Sequence, residues 1–138
     1  MSRYQYKYPT QEQVQVLLKC YYLHKYTLAA EIMNKTPSHI KTIEENALRS
    51  IRLAYSKSYL QGKKFEGETV LYDMAERSGL SVKELTGIFD AYITGGLASE
   101  DRIFWERVRC KGDKPTAAEL LDFIFMKYEL KIVPFSLE

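Results

Sequence analysis

The side chains best suited to a chemical task lie in the stretch Tyr26 to Arg52, YTLAAEIMNKTPSHIKTIEENALRSIR. Ser38, His39, Lys41 and Thr42 bring two hydroxyls, an imidazole and an ammonium within five consecutive positions. On a helix they share the side opposite Ile40 and Ile43, where their donors and acceptors could meet base edges in the major groove of duplex DNA. Glu45 and Asn46, one turn on, are second-rank candidates for the same work. Arg49, Arg52, Lys35, Lys57, Lys63 and Lys64 are the cations available for phosphates, Arg49, Arg52 and Lys57 only where the helix still lies near the groove.

Other chemistries lack their residues. The chain carries no phosphate loop, no dinucleotide fingerprint and no Ser, Cys or His arrangement suited to nucleophilic attack, so no catalytic residue and no cofactor are expected. Cys20 and His24 stand four apart, a spacing that can hold one ion on a helix, but no second ligand pair follows at a zinc-site spacing and no metal is expected.

The elements that must position the reader residues follow from local signals. Thr10 with Gln13 forms a capping box, and Val14, Leu17, Leu18 and Tyr21 follow at helical spacing, which predicts a first helix to about Leu23. Ala29 and Ala30 fall where two helices must approach closely. Asn34 falls at the turn, and Asn is the commonest non-glycine residue in the left-handed conformation such a turn requires. Thr36 followed by Pro37 is a helix start, an oxygen to cap free N–H groups and then a residue that needs no N–H. Met33, Ile40 and Ile43 take the positions that pack the second helix on the first, and Leu48, Ile51, Leu53, Tyr55, Tyr59 and Leu60 extend the pattern to Gly62.

The run Ile40-Lys41-Thr42-Ile43-Glu44, followed by Ala47-Leu48-Arg49 and Ile51-Arg52, resembles the end of the helix-turn-helix in region 4 of bacterial sigma-70 factors. Gln13 to Leu28 is similar to that family's approach helix, with apolar residues, an aromatic pair and a Thr-Leu helix start. The likeness covers about Thr10 to Tyr55, with no counterpart to the regions that melt a promoter, so free-standing regulators of phage or mobile-element type are nearer in architecture than a whole sigma factor. Lys35 stands where the family usually has a small apolar residue. The resemblance implies double-stranded DNA in the major groove and contact with RNA polymerase.

Charge divides the chain in the same place. Residues 1–65 hold eleven Lys and Arg against four Glu, a net +7, whereas residues 66–138 hold nine against fourteen acids, a net −5. A basic module on the helix-turn-helix side is the electrostatic footprint of nucleic-acid binding, and the acidic half is repelled by phosphate. Gln61 to Gly67, polar and glycine-bearing, is the best internal boundary. It separates a basic DNA-binding module, 1–61, from an acidic helical module for packing, dimerisation or partner binding, 62–138.

Within that second half, Met74 to Leu85 repeats helix-turn-helix spacing, with Gly79 at the turn and Ser81 and Glu84 as capping box. Its outward positions Val82, Lys83 and Thr86 have Glu76, Glu84 and Asp90 nearby, which fits packing or partner binding better than phosphate. Thr94-Gly95-Gly96 reads as a break, followed by a helix Leu97 to Cys110. Thr116 and Glu119 cap a last helix, Ala117 to Tyr128, whose broad apolar face of Leu120, Leu121, Ile124, Phe125 and Tyr128 suits dimerisation or burial within one chain.

At the start, Tyr4, Tyr6 and Tyr8 alternate with polar residues, a strand period whose partner would be Leu130 to Leu137; a basic arm along DNA is the other reading. The start MSRYQYKYPT is too polar for a signal peptide, no apolar run is long enough to span a membrane, and two cysteines ninety residues apart read as reduced thiols of a cytoplasmic protein.

The sequence therefore predicts a mainly α helix-turn-helix bundle with a second helix-turn-helix-like half and room for a small β pairing of the termini. The function expected is that of a homodimeric, sequence-specific transcription regulator. Two rivals stand beside it: a protein-interaction module that binds RNA polymerase or another protein, and a phage DNA-packaging or replication accessory protein.

Overall fold

A computed structural model describes residues 8–99 and 102–130, and in these residues the chain is mainly α. Seven helices follow in order: α1 Gln11–Leu23, α2 Tyr26–Met33, α3 Pro37–Leu60, α4 Gly67–Ser78, α5 Val82–Leu97, α6 Arg102–Trp105 and α7 Ala117–Lys127. Neither the strand expected over residues 1–9 nor its partner at the far end can be followed, because almost all of both falls outside the described residues.

Helix starts are fixed by short-range chemistry. Thr10, Ser81 and Thr116 each accept the backbone N–H three residues on, while Gln13, Glu84 and Glu119 return a side-chain bond to the cap's own N–H. Each box satisfies two donors that helix geometry leaves open.

The ends are equally local. Asn34 (φ 56°) and Gly79 (φ 72°) lie in the left-handed region. At the first, the N–H of Lys35 donates to the Ala30 carbonyl at 2.9 Å and that of Asn34 to Glu31 at 3.3 Å. Leu80 with Ala75, and Gly79 with Glu76, repeat the same two distances. Both α2–α3 and α4–α5 thus turn on one Schellman closure, followed two residues later by a hydroxyl cap.

Helices 1, 3, 4, 5, 6 and 7 share one apolar core, containing Leu17, Ile51, Tyr55, Met74, Leu85, Phe89, Trp105, Leu120 and Ile124. It draws on both sides of the link at 61–66. Leu120, Leu121 and Ile124 of α7 are buried within the chain, so the apolar face that suited dimerisation is occupied by intramolecular packing. Asp122 of α7 binds α4 directly, accepting the Gly67 N–H at 2.7 Å and the Tyr55 hydroxyl at 3.2 Å. Burial raises its carboxyl above the usual range, partly opposed by these two donors.

The expected break at Thr94-Gly95-Gly96 is corrected by the structure: α5 continues through all three residues to Leu97. Gly96 is needed for close approach, since a Cβ there would stand 2.1 Å from Nε1 of the buried Trp105. The expected helix Leu97 to Cys110 is likewise reduced to the single turn of α6. The Ser99 hydroxyl donates to the Gly96 carbonyl at 2.7 Å as α5 ends, and Phe104, Trp105 and Val108 reach the core from a short turn and its exit.

Candidate nucleic-acid interface

The first half of α3 is seated on a small second core. Val16 and Cys20 of α1, Ala29 and Ala30 of α2, and Ile40 and Ile43 of α3 are all buried there, with Met33 and Leu23 packed against them. Ala29 and Ala30 are 0 % and 3 % exposed, so the two helices meet where the side chains are smallest. Thr36 accepts the His39 N–H at 3.1 Å and Pro37 is the first helical residue, which fixes where α3 starts.

With Ile40 and Ile43 turned inward, helical geometry turns their neighbours out. Ser38, His39, Lys41 and Thr42 are all exposed, as are Glu45 and Asn46 one turn later. Thr42 also donates its hydroxyl to the Ser38 carbonyl at 3.2 Å, a bond that leaves its oxygen able to accept. The four first-rank residues therefore form one polar face over the first turns of α3.

The cations named for phosphates are more dispersed. Arg49 is exposed two turns beyond Lys41, whereas Arg52 is half-buried with its Nε enclosed and without a hydrogen-bond partner. Lys35, in the turn itself, reaches back to Glu12 of α1 at 3.0 Å, so the long side chain in place of a small apolar one ties α1 to the turn. Lys57 faces α4, 3.2 Å from Glu76 and 3.8 Å from Asp73, about 24 Å along the axis from Lys41 at 1.5 Å per residue. Lys63 and Lys64 lie exposed in the link beyond it. Lys35 and Arg49 thus lie nearest the reader face, and Lys57, Lys63 and Lys64 lie at the far end of α3.

Glu44 is the residue that sequence reasoning passed over. It is buried at the α1–α2–α3 junction and accepts the Tyr26 hydroxyl at 2.6 Å, linking the start of α2 to the middle of α3. That hydrogen bond, then burial, pushes the Tyr26 hydroxyl up to about 12; burial, then the charge of Glu44, pushes the Cys20 thiol up to about 12. The signal was present: position 44 lies between Ile40, Ile43 and Ala47 on the inward stripe of α3, and a carboxylate there must find donors. Cys20 is accordingly a protonated core thiol, and no group of three or more candidate metal ligands occurs among the described residues.

The second turn of this kind sits differently. Leu85 and Phe89 of α5 are fully buried in the main core, Val82 and Thr86 are half-buried, and Lys83, Glu84 and Gly87 face outward. Its outward face carries one cation beside one carboxylate. No helix among the described residues is long and apolar enough to cross a membrane. Compared with known proteins, the chain matches no family model, no curated protein and no solved structure.

Proposed function

We propose that the protein is a sequence-specific duplex-DNA-binding transcription regulator that reads bases with the N-terminal turns of α3. The observation that carries this reading is the polar face of Ser38, His39, Lys41 and Thr42, held outward on a helix whose other side is locked by Ala29, Ala30, Ile40 and Ile43. A rigidly held helix is one element that fits the major groove, and these four exposed side chains supply donors and acceptors along its first turns. The net +7 over residues 1–65 supplies the sequence-independent attraction, and Arg49 and Lys35 are the cations nearest the reader face. A homodimer is the form expected on DNA, where two readers meet two half-sites one helical turn apart.

The decisive experiment is selection of genomic duplex fragments by the purified protein at two salt concentrations, followed by sequencing. Enrichment of one motif, with affinity falling as salt rises, is the expected result. Absence of binding at low salt overturns it.

A second reading has its own support. Leu28 and Ile32 stand four apart on the outer face of α2, 42 % and 51 % exposed, and such a pair suits a protein partner such as RNA polymerase. Leu28→Ser with Ile32→Ser would abolish such a contact and leave DNA binding intact.

A further inference from the structure

A cavity of about 450 Å³ opens where the end of α1 meets the segment after α6 and the outer face of α7. This is within the range of about 300–1,000 Å³ usual for small-molecule sites. Its walls are aromatic. Tyr21 and Tyr22 come from the last turn of α1, which His24 closes in the left-handed conformation by donating its N–H to the Cys20 carbonyl at 2.7 Å. Phe123 comes from α7 and meets Tyr21 edge to face at 5.6 Å, and Tyr22 is braced from behind by Phe104 at 5.0 Å.

The rim is cationic. Arg107 lies 5.0 Å over the Tyr22 ring, and Lys127, one turn beyond Phe123, lies 5.8 Å from the rings of both Tyr21 and Phe123. Arg109 is the third cation, and no lining residue is acidic. Among the described residues, none of the three forms an ion pair with a carboxylate. This gathering lies largely in the half of the chain whose net charge is −5, where acidic partners were abundant. Three like charges around one concave opening repel one another, and an anion between them relieves that repulsion. Arginine's planar fork matches phosphate oxygens, and an aromatic wall offers its face to a flat ring.

We propose that this cavity binds a free nucleoside phosphate: Arg107 leaves its place over the Tyr22 ring to hold the phosphate with Arg109, the base takes that place on the Tyr21–Tyr22 wall, and Lys127 closes the charge. The inference does not depend on DNA reading by α3: the cavity is built from other residues, and its ligand is a small molecule.

The test is calorimetric titration of the full chain at low salt with AMP, GMP, inorganic phosphate, adenosine and a short single-stranded oligonucleotide. A mononucleotide should bind at least about ten-fold more tightly than either inorganic phosphate or the nucleoside, because only it engages both rim and wall. Arg107→Gln with Arg109→Gln, both exposed positions, should weaken that binding about ten-fold or more with unchanged helical circular dichroism and melting, while Lys41→Ala leaves it unaltered. Equal affinity for inorganic phosphate and nucleotide would reduce the cavity to a general anion surface and overturn the proposal. So would tighter binding of the oligonucleotide, which would make the cavity a strand-binding groove, or nucleotide binding that is indifferent to the double substitution.

Discussion

Replacing Gly67 by Ala tests the docking of α4 on α7, a close contact within the second half of the chain. A Cβ at this position would stand 2.0 Å from the Ala118 carbonyl oxygen and 2.7 Å from its carbon. Both atoms are backbone, so no rotamer change relieves the overlap, and α4 must retreat by about 1 Å to restore ordinary contact. Overpacking of this kind costs about 1–3 kcal/mol. The retreat also stretches the 2.7 Å bond from the Gly67 N–H to Asp122, a bond to a charged acceptor worth about 1.5–3 kcal/mol. Alanine's better helix propensity returns at most about 1 kcal/mol. The net loss is about 2–4 kcal/mol, a fall in Tm of roughly 8–16 °C for a domain of this size. Thermal and urea unfolding followed by circular dichroism at the helix band measures it. Gly87→Ala is the internal control: it sits mid-helix in α5 with nothing within 4 Å of the added Cβ, and should stabilise by about 0.5–1 kcal/mol. A Gly67→Ala protein that melts within about 2 °C of the parent would refute the close approach.

Lys41→Ala should weaken binding to the selected DNA motif by about 1–3 kcal/mol while changing affinity for random duplex much less, as read by titration of both duplexes; equal losses would make Lys41 a phosphate contact. The Tyr26 hydroxyl, raised from 10.0 to about 12, and the Cys20 thiol, raised from 9.0 to about 12, are protonated in the fold. Each contributes stability that is complete below its unfolded value and lost as pH rises toward 12, so unfolding free energy should decline from about pH 9 upward. Tyr26→Phe should make that decline shallower above pH 10 without abolishing it, in urea titrations run at stepped pH, because burial also raises the Tyr55, Tyr92 and Tyr128 hydroxyls. Gly96→Ala drives a Cβ into the indole of Trp105 and should cost about 2 kcal/mol or more, accompanied by a changed Trp105 fluorescence maximum. An unshifted spectrum and midpoint would show that the indole is not packed on α5 there.

What the sequence determined is what a few neighbouring residues settle among themselves. The three capping boxes, the left-handed Asn34, the Thr36-Pro37 start and the inward placing of Ile40 and Ile43 were all legible, since each depends on bonds or periodicity within a turn or two of helix. The mainly α class and the exposure of Ser38, His39, Lys41 and Thr42 followed from the same local rules. Tertiary structure decided whatever rests on a partner distant in sequence or unmarked by local pattern. Gly95-Gly96 reads as a break until Trp105 is seen to need the space of a missing Cβ. Lys57 reads as a cation for phosphate until Asp73 and Glu76 are seen to face it. Arg107 and Arg109 vanish into an acidic half, because net charge adds along the chain whereas electrostatic potential adds in space, and only the fold brings them to Tyr21, Tyr22 and Lys127.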